Sequence, residues 1–394
     1  MFTAYKFRMY PDDEQKFLIE KHIGTCRFVW NYFLAFRNKR YIETGKGMSY
    51  KDMSVLLPPL KGEKEWLNDV NSQSLQQELI HLDSAFHRFF KKIGKYPAFK
   101  KKKNGGSFSV PQHFTINDNH LTIPKFKNPL RIFMHRNIEG EMRSLTISKT
   151  PSGKYYASIL AESGINIPEP VKIEAVTSVG IDMGITSFLT TSDGIQINNP
   201  KNLKKSEKKL AILQKRLSGK QKGSNNRNKA RIKVSTAQEH IANQRMDFHN
   251  RLSDAMLKAY GTVITEDLNV SGMMKNYHLA KSISDAGWSS FMTMLKTKAA
   301  SRGKNIIEIG RFDPSSRMCS KCGNIKHDLK LSDRTYHCNE CGLSIDRDLN
   351  AAINIKRFGL IQTEVPTDSG EVTPMEISLA GCLIREGISH ISLK

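Results

Sequence analysis

The chain has 394 residues, 39% of them hydrophobic and 25% charged, which is enough apolar material for two or three domains with cores of their own. Its 61 lysines and arginines outnumber 38 aspartates and glutamates, for a formal net charge of +23. A surplus of that size points to a polyanion. It is spread along the whole chain, without an anchor helix, a lipidation motif or an apolar run of about 18 to 20 residues, which favours nucleic acid over a membrane surface.

The first ten residues alternate apolar and polar side chains before Pro11, predicting a short strand whose partners come from later in the chain. They lack the sections of a signal peptide, and Cys26 and Cys382 sit in apolar surroundings, so a reducing, cytoplasmic setting is expected. The next hundred residues read as mostly helical. Between Asn71 and about Lys92, Leu75, Leu79, Leu82, Phe86 and Phe89 recur at steps of four and three, the stripe of a helix packed on a core. Its other faces carry Gln73 and Gln77. Lys100, Lys101, Lys102 and Lys103 follow on a loop flanked by Tyr96, Phe99 and Phe108, and a basic run among aromatics can hold phosphates while stacking bases. From Ser107 to about Ile165, short apolar segments between Asn, Gly and Pro turns predict a small β-barrel or sheet.

A third region begins near Val176. Val179 to Asp182, Ser187 to Ser192 and Ile195 to Ile197, with Asp193-Gly194 as a hairpin turn, predict three antiparallel strands, the first ending in a carboxylate. Residues 201 to 233 carry thirteen Lys or Arg and one acid, Glu207, with Leu203, Leu210, Leu213 and Leu217 at near-helical spacing. Lys215, Arg216, Arg227 and Arg231 on this basic segment are candidates for phosphate contact. Gly223-Ser-Asn-Asn226 breaks the helix, and a longer one runs on to about Tyr260. Gly261 to Glu266 is a β-branched strand that again ends in a carboxylate. A helix from about Trp288 to Arg302, a strand at Ile306 to Ile309 and a helix from near Asp348 complete the region. After Phe358 no period is clear, and the tail is expected to be poorly ordered.

Cys319-Ser-Lys-Cys322 and Cys338-Asn-Glu-Cys341, fifteen residues apart, have zinc-ribbon spacing, each pair supplying two thiolates to one tetrahedral ion at about 2.3 Å. Cys322 and Cys341 are each followed by Gly, which suits a tight knuckle. The competing reading is two unrelated pairs of free or disulfide-bonded thiols. Asp346-Arg-Asp348-Leu-Asn350 follows almost at once. Asp182 and Glu266 at strand ends with Asp348 at a helix start are arranged like a ribonuclease H type of centre. Three such carboxylates in one cleft need divalent cations, and two Mg²⁺ can drive phosphodiester hydrolysis. Singly each acid is weak evidence: Asp182 could cap, Asp267 could replace Glu266, and Asp346 could replace Asp348.

Gly180-Ile-Asp182-Met-Gly-Ile with Thr191-Ser-Asp-Gly194, Thr265-Glu266-Asp267-Leu268-Asn269, and Pro314 through the cysteine pairs to Asp348-Leu-Asn350-Ala-Ala resemble the three RuvC motifs and ribbon of the TnpB proteins of insertion sequences, over about residues 176 to 356. The resemblance implies that Asp182, Glu266 and Asp348 hold two catalytic Mg²⁺, with Asp346 in support, and that Cys319, Cys322, Cys338 and Cys341 hold one structural Zn²⁺. It implies a multidomain α/β plus α+β fold: a wedge β-barrel from 1–10 and 107–175, a helical recognition lobe at 11–106, a ribonuclease H-like (RuvC) nuclease domain from 176–314 and 346–357, an inserted zinc ribbon at 315–345, and a tail from 358. It further implies an RNA-guided DNA endonuclease, with a guide RNA from the transposon end and double-stranded DNA beside a short transposon-adjacent motif. Gln73 and Gln77 could read adenine there. A monomer with RNA in a bacterial or archaeal cytoplasm is expected. The rivals are a nuclease-inactive RNA-guided repressor and an unguided transposase-associated nuclease.

Overall fold

The computed structural model describes residues 1–102, 105–330 and 333–365. They group into two compact units, residues 1–166 with 220–236, and residues 167–219 with 237 onward.

In the first unit β1 (Phe2–Met9) leads into α1 (Asp13–Thr44), α2 (Tyr50–Glu63) and α3 (Ser72–Phe90). Six further strands follow: β2 (Gly106–Val110), β3 (Thr115–Asn117), β4 (His120–Thr122), β5 (Leu130–Phe133), β6 (Glu141–Lys149) and β7 (Tyr155–Glu162). The opening strand finds its partners late in the chain, as its alternation predicted. It lies antiparallel to β7 and β5 in a seven-stranded sheet ordered β2-β6-β7-β1-β5-β4-β3. A capping box starts α1: the Gln15 N–H donates to Asp12 Oδ1 at 2.8 Å and the Asp12 N–H to Gln15 Oε1 at 3.1 Å. The stripe on α3 is buried at Leu75, Leu79, Leu82 and Phe86, in one core with Phe7, Phe33, Phe108 and Ile147. The helical segment and the sheet therefore share a single core rather than forming separate ones. Residues 220–236 also belong to this unit, where Arg231 Nη1 donates to the Pro151 carbonyl at 3.2 Å.

The second unit holds a five-stranded sheet ordered β10-β9-β8-β11-β12, from β8 (Ser178–Asp182), β9 (Ser187–Thr191), β10 (Gln196–Asn198), β11 (Thr262–Glu266) and β12 (Asn305–Ile309). The first three are antiparallel, and β11 lies parallel to both β8 and β12. Its helices are α4 (Asn202–Ser218), the part of α5 (Asn225–Ala259) beyond Thr236, α6 (Val270–Met273), α7 (Tyr277–Ala286), α8 (Trp288–Ser301) and α9 (Arg347–Gln362). A small hairpin, β13 (Thr335–His337) with β14 (Ser344–Asp346), precedes α9.

Strand parity divides this sheet into two faces. Val179, Ile181 and Val263 pack with Phe248, Leu252, Trp288 and Phe291 of α5 and α8, while Ile264 and Ile309 pack with Ile355 and Leu360 of α9. The approach of α9 is very close. A Cβ on Gly180 would sit 2.2 Å from the Ala352 carbonyl oxygen, and one on Gly359 would sit 2.3 Å from Ile264 Cγ2. Packing also carries α9 past Phe358, because Gly359 and Leu360 are buried. Residues 358–362, expected in the tail, thus belong to α9, and residues 366–394, Cys382 among them, lie outside the described residues.

Candidate active site and metal centre

The pairing of Thr265 with Ile181 leaves Asp182 and Glu266 side by side at the carboxyl ends of two parallel strands, where open α/β sheets place their sites. Asp182 shares parity with Gly180, and Glu266 with Ile264. Both of those residues meet α9, so both carboxylates project on its side of the sheet. Asp348 stands in the first turn of α9. Burial pushes the Asp182 carboxyl up to about 8, and the charges of Glu266 and Asp348 add to the rise. Burial, then Asp346, also raises Asp348. The three acids thus feel one another, yet among the described residues only four cysteines close to within 4.8 Å as a single-ion cage would.

The alternative acids are otherwise engaged. Asp346 caps α9, its Oδ1 accepting the Asp348 and Leu349 N–H groups at 3.0 Å each. Asp267 pairs with Arg311 at 2.5 Å. Asn350 faces away from the carboxylates: its Oδ1 accepts the Ser320 N–H at 2.9 Å and its Nδ2 donates to the Met318 carbonyl at 2.7 Å. The sequence reading missed Ser315, whose buried hydroxyl donates to Glu266 Oε1. It also missed Asn354, whose Nδ2 donates to the Ser315 and Met318 carbonyls at 2.8 and 2.6 Å. Asn354 lies one helical turn beyond Asn350, a signal that was present.

The cysteine cluster is built from two equivalent knuckles. Gly323 N–H donates to the Cys319 carbonyl at 2.9 Å and Gly342 N–H to the Cys338 carbonyl at 3.1 Å. Both glycines are left-handed, with φ of 78° and 71°, which explains the Gly after each pair. Across the knuckles, Cys319 and Cys341 sulfurs lie 3.6 Å apart and those of Cys322 and Cys338 3.5 Å apart. A tetrahedron of about 2.3 Å zinc–sulfur bonds has edges near 3.8 Å, so four thiolates so placed fit zinc. The Cys341 and Glu340 backbone N–H groups pull the Cys338 thiol down, toward the thiolate that zinc binds.

The basic residues divide. Lys100, though exposed, has an internal partner: its ammonium meets the buried Glu78 at 2.5 Å and lies 4.2 Å over the Trp30 ring. Phe108 is buried against His22, with ring centroids 4.8 Å apart, and cannot stack on a base. Tyr96 and Phe99 stay exposed, as do Lys101 and Lys102, while Lys103 lies outside the described residues. In the first unit, Lys102 and Arg231 meet Arg27 and Lys149 around a cavity of about 490 Å³, with Glu20 as the one acid in its lining. Neither Arg27 nor Lys149 was singled out from sequence. Arg227 donates to the Lys220 carbonyl at 2.8 Å. Lys215 and Arg216 are exposed on α4 of the second unit. On α3, Gln73 donates to Gln112 Oε1 at 3.2 Å, and Gln77 is half-buried.

A family profile described as "Probable transposase" (OrfB_IS605) matches residues 163–277, and one described as "Cas12f1-like, TNB domain" matches 288–355. A protein of Streptomyces pristinaespiralis named "Putative RNA-guided DNA endonuclease" is 39% identical over 91% of this chain and 89% of its own length. The chain belongs to the TnpB family. A second TnpB-family relative, "Putative RNA-guided DNA endonuclease InsQ" of Escherichia coli (strain K12), is 32% identical over 90% of this chain and 92% of its own. The "CRISPR-associated endodeoxyribonuclease Cas12f1" of Sulfoacidibacillus thermotolerans is 26% identical over 57% of this chain and 56% of its own. Residues 1–46 match a helix-turn-helix profile. In this TnpB-family chain they form instead one strand and the single long helix α1.

Proposed function

We propose that this TnpB-family chain is an RNA-guided, Mg²⁺-dependent DNA endonuclease. The observation that carries the reading is the gathering of Asp182, Glu266 and Asp348 on the α9 side of one sheet, where burial first and then the charges of the other two acids push Asp182 up to about 8. Acids so placed are relieved by cations. Two Mg²⁺ bound there would supply an activated water and neutralise the leaving oxygen of a phosphodiester. Asp182, Glu266 and Asp348 would hold them. Ser315 donates to Glu266 Oε1, while Asp346 fixes the start of the helix that bears Asp348. The cysteines hold one structural zinc in a ribbon at 315–345.

The relatives' names support RNA guidance and DNA as the target. The guide comes from the transposon end, and cleavage falls beside a short adjacent motif, with Gln73 and Gln77 as candidate readers. The cavity bounded by Arg27, Lys102, Lys149 and Arg231 is a site for RNA phosphates. We assign the wedge to 1–10 and 107–175, the recognition lobe to 11–106 and the RuvC-like nuclease to 176–314 with 346–357. The working form is a monomer with its RNA in a bacterial or archaeal cytoplasm. No described helix is long and apolar enough to cross a membrane.

The test is to purify the protein with co-expressed RNA, sequence that RNA, and incubate the complex with plasmids carrying a guide-matched target beside randomised flanks. Cutting that depends jointly on guide, flank and Mg²⁺ is expected. RNA-dependent binding without cutting would favour the repressor reading, and cutting without RNA the unguided nuclease.

A further inference from the structure

We propose that Ser315 is a positioning residue for Glu266, held in place by α9 and the first cysteine knuckle, so that the metal ribbon sets the geometry of the nuclease centre. The inference rests on the function proposed above. Ser315 is 4% exposed, and its hydroxyl donates to Glu266 Oε1. Its N–H donates to the Asp313 carbonyl at 2.8 Å, and its carbonyl accepts from Asn354. The next turn is closed by the Met318 N–H on the Pro314 carbonyl at 2.9 Å. Cys319, the first thiol of the cluster, follows directly.

Three side chains of α9 grip this segment. Asn350 and Asn354 both donate to the Met318 carbonyl, at 2.7 and 2.6 Å. Asn350 also accepts the Ser320 N–H, and Arg357 donates to the Ser320 carbonyl at 2.7 Å. Spacings of four and three put the trio on one stripe of the helix that bears Asp348. Both asparagines are fully buried, so solvent cannot replace these bonds. One hydrogen-bonded path therefore runs from the cysteine knuckle through Met318 and Ser315 to Glu266, and α9 fastens it to Asp348. A carboxylate held by one oxygen presents the other in a fixed direction, and removal of such a supporting partner typically weakens metal affinity about 10- to 100-fold.

The experiment uses the full chain with its RNA, with Mn²⁺ affinity measured by electron paramagnetic resonance, the half-saturating Mg²⁺ concentration for cleavage, and zinc content. Ser315→Ala is expected to raise both the Mn²⁺ dissociation constant and the Mg²⁺ requirement about tenfold while keeping one zinc per chain, and Ser315→Thr, which retains the hydroxyl, to stay near wild type. Cys322→Ser, stripped of zinc, is expected to weaken Mn²⁺ binding similarly. Wild-type values for Ser315→Ala in both readouts would overturn the positioning role, as would loss of zinc from that variant. Unchanged Mn²⁺ affinity in zinc-free protein would overturn the link from ribbon to centre. A wild-type complex that binds Mn²⁺ yet cuts no guided target would refute the nuclease reading separately, leaving the Mn²⁺ comparison intact.

Discussion

At the scale of single residues, the centre is defined as much by what its neighbours are doing as by its acids. Asp346 caps a helix and Asp267 holds Arg311, so each alternative left open by the motif has a structural use. Asp182→Ala and Glu266→Ala are accordingly expected to abolish cutting of a guide-matched plasmid while leaving RNA-dependent DNA binding intact in a mobility-shift assay. Loss of both properties would make the acids structural. His249 governs a different property. It is fully buried among Phe188, Phe248 and Phe291, and its Nε2–H donates to the Ala286 carbonyl at 2.9 Å. Burial lowers its pKa to about 4, below an ordinary value near 6.5. The neutral ring is the folded form, so its stability contribution is complete above about pH 6.5 and is lost as pH falls from there toward 4. The loss is at most about 3 kcal/mol. Urea unfolding at pH 7 and pH 4.5 should resolve it, and His249→Gln should flatten that acid limb.

At the scale of elements, the decisive contact is α9 on β8 and β11, made possible by Gly180 and Gly359. A Cβ at Gly180 meets backbone, the Ala352 carbonyl oxygen at 2.2 Å and the Lys356 nitrogen at 2.6 Å, whereas one at Gly359 meets the Ile264 side chain. Backbone can yield only by lifting the helix, while a side chain can turn. Gly180→Ala is therefore expected to cost more than the usual 1 to 3 kcal/mol of overpacking, and Gly359→Ala to fall within that range, as read by chemical unfolding. Gly180→Ala should also impair cleavage, since Asp182 lies two residues along the same strand and Asp348 heads the displaced helix. The ribbon is a second separable element. Cys338→Ser should release about one zinc per chain, measured by metal analysis, and no zinc in the wild type would end the assignment.

At the scale of the whole molecule, a net charge of +23 states that the partner is anionic but not where it binds. Folding selects among the cations. Lys100 turns to Glu78, while Arg27, Lys102, Lys149 and Arg231, distant in sequence, ring one cavity. Replacing Arg27 or Lys102 with Ala should weaken guide-RNA binding about equally for unrelated guide sequences and reduce the salt slope by about one. Lys100→Ala should leave that slope unchanged and lower stability instead, by leaving the buried Glu78 with only the His81 ring at 3.6 Å.

The sequence by itself marked most strands and helices of the second unit, though not α6 and α7, and named its candidate acids and cysteines. Two strand ends with acids, two Cys-x-x-Cys-Gly knuckles and the Asp-x-Asn helix start are local patterns, written in periodicities and spacings that need no distant partner to be read. The helices were legible for the same reason, as was the need of β1 for late partners. Only tertiary structure decided that Asp182 and Glu266 are in register on the α9 face, that Asn350 serves the ribbon rather than the acids, and that Ser315 reaches Glu266. It also drew residues 220–236 into the first unit, buried Phe108 and paired Lys100 with Glu78. These outcomes depend on which residues far apart in the chain are brought together, and burial against such partners carries no local periodicity from which to foresee it.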